Sequence, residues 1–350
     1  MDTQIRLSML TSHHGSEADL DPALLAQLLP TPTISPSASP ASVVTEVTDE
    51  RTMIAFQDNG TASVQTINFF PPVIDDPFAY GEIAAAQAMG GIYALGGDVT
   101  FGLSIAAWPE GLAPDLLRAI FAGGAAKMAE GGARIVGGQT IVATSPHYGL
   151  CVTGTIDPAR YLTGAGVQHG DRLYLTKALG TGVVLAAAHR EAATAGHLAE
   201  AIASMRRLDR VAATIARREG ATACIGIAGR GLLGHAGQLA ARSGYGIQLA
   251  VTAVPFLSGA LEYAELGFIP AITARNRAAF AAQPGNSASD TQLSCHSVSD
   301  LLHDPQTSGG LLLSVPAAHA GTFQSAFARA RGALWPIGEI VAGAGVRLIP

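Results

Sequence analysis

Three glycine-bearing segments hold the residue types best suited to an anionic ligand. Gly229-Arg230-Gly231-Leu232-Leu233-Gly234-His235 follows a strand-like run and opens a helical one. Free backbone N–H groups and the positive end of the helix dipole meet at such a junction, and glycine lets the backbone approach a phosphate closely. The same glycines also serve tight packing alone. Asp304-Pro305-Gln306-Thr307-Ser308-Gly309-Gly310 places two hydroxyls and two glycines directly before an apolar strand, as a ligand loop or as a purely structural turn. Gly137-Gly138-Gln139-Thr140, after a strand-like run at 133–136, reads as a third turn with polar tips. One such turn is unremarkable, but three in one chain point to a phosphate-rich ligand.

Other reactive types are few. Lys127 and Lys177 are the two lysines, so a compact ammonium has two candidates, and Lys177 suits a structural or anion-pairing role. Cys151, Cys224 and Cys295 are odd in number and lack CxxC spacing, which argues against a disulfide framework or a zinc knuckle. Cys151 and Cys224 lie in apolar runs and read as buried, inert thiols. His13-His14 beside Ser16, and Cys295-His296, read as solvated pairs rather than catalytic or metal sites.

The elements that must position these residues alternate between helix and strand. Residues 1–50 look irregular, with a Pro/Ser/Thr-rich stretch at 30–42, and are expected to be flexible. Strand-like runs from 53 and over 62–70 flank Asp58-Asn59-Gly60, a hairpin signal. A helix is expected at 78–95, a strand at 100–108, a helix at 114–130 and a strand at 148–156, with glycines closing both helices. The later elements are a strand at 172–176, helices at 182–190 and 195–218, a strand at 223–227 and a helix at 232–242. A strand at 311–315, a helix at 317–331 and a strand pair within 337–349 complete the pattern. The expected division is a flexible segment at 1–50, a domain at 51–157, a linker at 158–170 and an α+β or α/β domain at 171–350.

Composition narrows the function. The 350 residues are 48% hydrophobic and 14% charged, enough for a large core and against general disorder. A net charge of −6 without a Lys/Arg cluster argues against nucleic acid as a partner. No apolar run reaches the roughly 18 residues that span a bilayer, and no secretory signal is visible, so no membrane and a cytoplasmic location are expected.

The ordered set Ile5-Arg6-Leu7, Phe69-Phe70 with Pro72, Asp75 to Phe78, Ala94 to Gly97, Trp108-Pro109, Gly137-Gly138, Leu175 to Lys177, Gly231 to His235, Asp304 to Leu312 and Ile337 to Glu339 resembles the selenophosphate synthetase (selenide, water dikinase) family. That family lies within the aminoimidazole ribonucleotide synthetase-like superfamily. The resemblance implies two domains, an amino-terminal dimerising β-sheet or barrel and a carboxy-terminal α/β sandwich. It also implies ATP and Mg²⁺ as cofactors, and a reaction in which ATP, selenide and water give selenophosphate, AMP and phosphate.

Residue by residue, the resemblance departs at the chemistry. The family's Cys or selenocysteine and its Lys fall on Ser16 and Asp19, and four family aspartates fall on Arg51, Asn68, Gly91 and Gly226. Thr48, Asp49, Glu50, Gly138, Gln139 and Thr140 occupy nucleotide-contacting positions. Serine forms no anion near neutral pH, a carboxylate repels a polyphosphate, and losing one charge-stabilising group costs about a hundredfold in rate. The expectation is therefore a catalytically impaired member that binds a nucleotide or small anion, as a homodimer or as the partner of an active relative. Two alternatives stand beside it. One is an active selenide, water dikinase whose ligands come from Asp49, Glu50, Asp75 or Asp76; the other is an ATP-dependent enzyme acting on a different acceptor.

Overall fold

Residues 5–11, 44–49, 52–56, 61–286 and 296–350 are described by the structure, a computed structural model. The chain forms two units, one of Met1–Tyr93 and Gly97–Tyr161, the other of Ala94–Gly96 and Leu162–Pro350.

The first unit runs β1 (Val44–Asp49), β2 (Thr52–Phe56), β3 (Ala62–Phe70), α1 (Pro77–Ala94), β4 (Asp98–Trp108), α2 (Pro114–Glu130), β5 (Arg134–Val142) and β6 (His147–Ile156). Its sheet has the order β1-β2-β3-β6-β4-β5, antiparallel except for the β4–β5 pair. Strict alternation in β3 turns Val64, Thr66, Asn68 and Phe70 inward and leaves Gln65, Ile67 and Phe69 exposed. Helix α1, rich in Ala, lies on the inward face, where the Thr66 hydroxyl donates to the Ala88 carbonyl at 2.5 Å.

Glycines set the approach of α1 to α2. A Cβ at Gly81 would lie 2.0 Å from the Ile120 carbonyl oxygen, and one at Gly123 would lie 1.9 Å from that of Phe78. Lys127, buried at this crossing, pairs with Glu82 at 3.5 Å and with Glu130 at 2.6 Å.

The second unit runs β7 (Arg172–Leu175), α3 (Thr181–His189), α4 (Ala195–Arg206), α5 (Arg210–Arg218), β8 (Ala223–Gly226), α6 (Gly231–Ser243) and β9 (Gly246–Ala250). There follow α7 (Ala260–Glu265), α8 (Ile272–Ala281), α9 (His296–Leu302), β10 (Leu311–Val315), α10 (Ala320–Arg329), β11 (Trp335–Val341) and β12 (Val346–Ile349). The sheet order is β12-β9-β11-β7-β10-β8. Leu173, Leu175, Ile247, Leu249 and Leu312 form its core with Leu232, Leu233 and Leu239 of α6. The fold is thus a two-domain α+β arrangement of mixed sheets and helices.

Several expectations change here. The segment expected to be flexible over 1–50 contains β1 and a 3-10 turn at Leu7–Leu10, whose Ser8 is tied to Asp75. The helix expected over 195–218 is two helices. The chain turns extended at Arg207, whose carbonyl receives the Lys177 ammonium at 2.7 Å, and restarts after the buried Asp209. The last two strands do not pair with each other; both flank β9, β11 antiparallel and β12 parallel.

Gly137 and Gly138 are not a turn. They lie inside β5, past a register shift against β4 that absorbs one extra residue. A Cβ at Gly138 would sit 2.1 Å from the Ser104 carbonyl oxygen, so the pair marks close strand approach at a bulge.

Candidate functional site

The two remaining glycine-rich segments are used internally. In the 304–310 segment, Gln306 Oε1 accepts from the backbone N–H groups of Gly180 and Thr181 and from the Thr181 hydroxyl, at 3.1–3.3 Å. Asp304 Oδ2 accepts from the Gly182 N–H at 3.0 Å and from Gln306 Nε2 at 2.8 Å. These side chains therefore occupy the free N–H groups at the start of α3, the donors an anion would otherwise take. Burial pushes the Asp304 carboxyl well up, against the hydrogen bonds from Gln306 and Gly182. In the 229–235 segment, His235 Nε2 accepts from the Ala228 N–H at 3.0 Å, and Asn276 donates to the carbonyls of Gly229 and His303. Gly231 takes φ +68°, and a Cβ there would lie 2.6 Å from the His303 carbonyl carbon, so both conformation and space call for glycine. In the 304–310 segment the side chains thus take a structural role at the start of α3, and in the 229–235 segment the bonds hold the turn against Asn276 and His235.

Lys177 is buried as well. Its Nζ donates to the carbonyls of Arg207 at 2.7 Å and Ser308 at 2.8 Å, and lies 3.4 Å from Asp209 Oδ2. Burial raises the Asp209 carboxyl, while Lys177 and Arg207 oppose the rise.

The residues that do converge lie at one corner of the first unit. Register places Asp49 of β1 opposite Thr52 of β2, and Thr52 opposite Thr66 of β3. Asn68, two residues on and facing the same way, donates to the Gln87 carbonyl at 3.5 Å and accepts from Gln87 Nε2 at 3.2 Å. Gly91, one turn further along α1, faces Thr52 and Thr66: a Cβ there would lie 3.0 Å from Thr52 Oγ1 and 3.1 Å from Thr66 Cγ2. Sequence reading singled out Asn68 and Gly91 but missed Thr52, Thr66 and Gln87. For the threonines the period-2 alternation of the hairpin was the available signal.

The other candidates fall elsewhere. Gly138, Gln139 and Thr140 lie on β5, at the opposite edge of the sheet from Thr48 and Asp49. Five inter-strand steps separate the two edges, about 24 Å along the sheet at ordinary strand spacing. Gly226 ends β8 in the second unit, where a Cβ would meet the Ala94 side chain at 3.9 Å. Ser16, Asp19, Glu50 and Arg51 lie outside the described residues, as do 30–42, His13, His14 and Cys295.

The neighbouring acids are committed. Asp75 accepts from the Ser8 N–H at 3.0 Å, the Ser8 hydroxyl at 2.5 Å and Arg6 Nε at 2.9 Å. Burial raises its carboxyl, and these donors together bring it below the usual value. Asp76 accepts from the Ala79 N–H at 3.0 Å at the start of α1. Among the described residues no three His, Cys, Asp or Glu side chains come together. Mg²⁺ demands anionic oxygen, and the described side chains of the corner offer only hydroxyls and amides, so they do not fit the ion.

Residues 48–156 match the AIR synthase related protein N-terminal domain, and residues 168–349 match the C-terminal domain. A selenide, water dikinase of Clostridium botulinum (strain Alaska E43 / Type E3) is 34% identical over 327 residues, 93% of this chain and 92% of the relative. The chain belongs to the selenide, water dikinase family of AIR synthase related proteins. A further dikinase of the family, from Desulfitobacterium hafniense (strain Y51), is 41% identical over 283 residues, 80% of this chain and 81% of its own. The fold of the family also extends to the solved structure of AaThiL complexed with AMPPCP and TMP, which superposes with a TM-score of 0.66 at 17% identity, covering 93% of this chain and 91% of that one. Among the described residues no helix is long and apolar enough to cross a membrane.

Proposed function

We propose that this chain is a member of the selenide, water dikinase family whose metal-dependent chemistry is impaired, and that it acts as a nucleotide- or anion-binding partner on the family scaffold. The observation that carries the reading is the corner of Thr52, Thr66, Asn68, Gln87 and Gly91, where the described side chains are neutral and Asn68 and Gly91 stand at two positions for which the family resemblance calls for aspartates, with Asp49 of β1 opposite Thr52. Phosphoryl transfer relies on cations that gather the phosphate charge, and the described side chains of the corner offer those cations no carboxylate. What the residues here can do is donate hydrogen bonds to a nucleotide or anion.

A second copy of the chain belongs to this reading. Thr48 and Asp49 on one sheet edge and Gly138, Gln139 and Thr140 on the other are too far apart to hold one nucleotide within a single sheet. The outward face between them is apolar: register lines up Ile67, Cys151 and Leu103 across three strands, and Ile67, Phe69 and Leu103 are each at least 40% exposed. Face-to-face association would cover that stripe and bring one protomer's β5 toward the other's β1. An active relative in place of the second copy would use the same face.

The deciding experiment incubates the purified chain with ATP, Mg²⁺ and selenide and follows AMP. Background formation is expected; enzyme-like turnover would refute the impairment. A specific observation favours the other outcome, since curated relatives 34–41% identical are named selenide, water dikinase. On that second reading the chain makes selenophosphate, AMP and phosphate, with Asp49 and Glu50 supplying the missing charge. Glu50→Ala would then abolish turnover. An ATP-dependent reaction on another acceptor would show as AMP or ADP release without selenide.

A further inference from the structure

We infer that Thr52 and Thr66 close the corner over Gly91, so that packing shuts an acidic side chain out of position 91 and keeps a divalent ion from the site. The inference rests on the reading that this corner holds no ion, and it concerns why. Gly90 and Gly91 are neighbours in α1 with comparable half-burial, yet a Cβ on Gly90 meets nothing within 4 Å among the described residues. On Gly91 it meets Thr52 Oγ1 at 3.0 Å, Thr66 Cγ2 at 3.1 Å and Thr66 Cβ at 3.3 Å, closer than ordinary van der Waals contact.

Neither threonine is placed to yield. The Thr66 hydroxyl donates to the Ala88 carbonyl at 2.5 Å, and in a β-branched side chain that bond fixes where Cγ2 points. Thr52 is 5% exposed and pairs directly with Thr66 across the β2–β3 ladder, so its backbone is fixed by the sheet and its hydroxyl must swing within a buried space to make room. Polarity adds a second barrier at Asn68, whose amide donates to the Gln87 carbonyl. A carboxylate at position 68 would set an oxygen against that oxygen instead.

The first test compares melting temperatures of full-length Gly90→Ala and Gly91→Ala. Alanine is the better helix former, so Gly90→Ala should melt at or above the unsubstituted chain, whereas Gly91→Ala should melt below it. Adding Thr52→Ala and Thr66→Ser, which keeps the Ala88 hydrogen bond, should remove the penalty of Gly91→Ala. The second test titrates Mn²⁺ against Asn68→Asp/Gly91→Asp with and without the two threonine substitutions, reading free Mn²⁺ by electron paramagnetic resonance. Binding at least tenfold tighter with the threonines replaced is expected. Equal melting of the two alanine variants would overturn the inference, as would equal Mn²⁺ affinity in the two charged variants or its absence from both. AMP formation by the unsubstituted chain is a separate result: it would sink the functional reading and leave the alanine comparison standing.

Discussion

Lys177 is the residue whose removal the second unit should feel most. It is 1% exposed, and its ammonium ties three segments together: the bend after β7 on which it sits, the break between α4 and α5 through the Arg207 carbonyl, and the 304–310 turn through the Ser308 carbonyl. Lys177→Met keeps much of the stem's volume and removes the charge. Breaking a buried pair by deleting one partner costs about 3–5 kcal/mol. Each orphaned carbonyl adds roughly 1 kcal/mol or more, less than additively. A total near 5 kcal/mol would consume much of the 5–15 kcal/mol that typically separates folded from unfolded. Asp209 limits the loss by taking up a proton, which burial already favours. The folded variant therefore binds a proton that the unfolded chain releases, so its stability should fall as pH rises above the usual carboxylate range. Lys177→Met/Asp209→Leu removes the stranded acid and should recover about 2 kcal/mol with little of that slope. The assay is urea unfolding read from Trp335 on β11, in a Trp108→Phe background that silences the first unit. A loss below about 1 kcal/mol at pH 7, or a double variant equal to the sum of the singles, would refute the reasoning.

Three further outcomes follow from the same geometry. The Asp75 carboxyl is held below the usual value, so its grip on Ser8 and Arg6 should persist at neutral pH and be lost only once pH has fallen below the ordinary carboxylate range; hydrogen exchange at the Ser8 amide reads this, and loss of protection already above about pH 4 would contradict it. Asp304, raised by burial, makes the folded chain hold a proton the unfolded chain loses, so stability should decline above about pH 4. Asp304→Asn should flatten that decline, and an unchanged slope would count against it. Gly123→Ala should destabilise by roughly 1–3 kcal/mol despite alanine's better helix propensity, because its Cβ would press on the Phe78 carbonyl; a stabilised variant would show that α1 and α2 can separate freely.

Legibility followed how local the determining physics was. The boundaries of α2 coincide with those expected, Pro114 starting it and Gly131-Gly132 ending it, because both signals are carried by adjacent residues. The β2–β3 hairpin was likewise legible from its alternation. The break between α4 and α5 was not, since Arg206-Arg207-Leu208-Asp209 suits a helix and the group bonded to the carbonyl at the break is Lys177, thirty residues away. Glycine pairs were ambiguous for the same reason: Gly96 ends a helix at φ +71°, whereas Gly137-Gly138 passes through a strand bulge under Ser104. At the site, positions 68 and 91 could be singled out from motifs, but the packing of Gly91 against Thr52 and Thr66 depends on cross-strand register that one sequence does not display.

The separation between scaffold and site explains how a chain can keep the one and change the other. The 304–310 turn, the 229–235 turn and the Lys177 pair satisfy their polar groups with protein partners. These bonds of the second unit involve none of the corner residues, so on the proposed reading a change at the corner removes none of them. Within the first unit, Thr66 bonds to α1 and Asn68 pairs with Gln87. Identity of 34–41% across most of the chain speaks to the shared scaffold, while activity lives in a few groups of the site. The name shared by the relatives is evidence about the first, and the AMP assay is what tests the second.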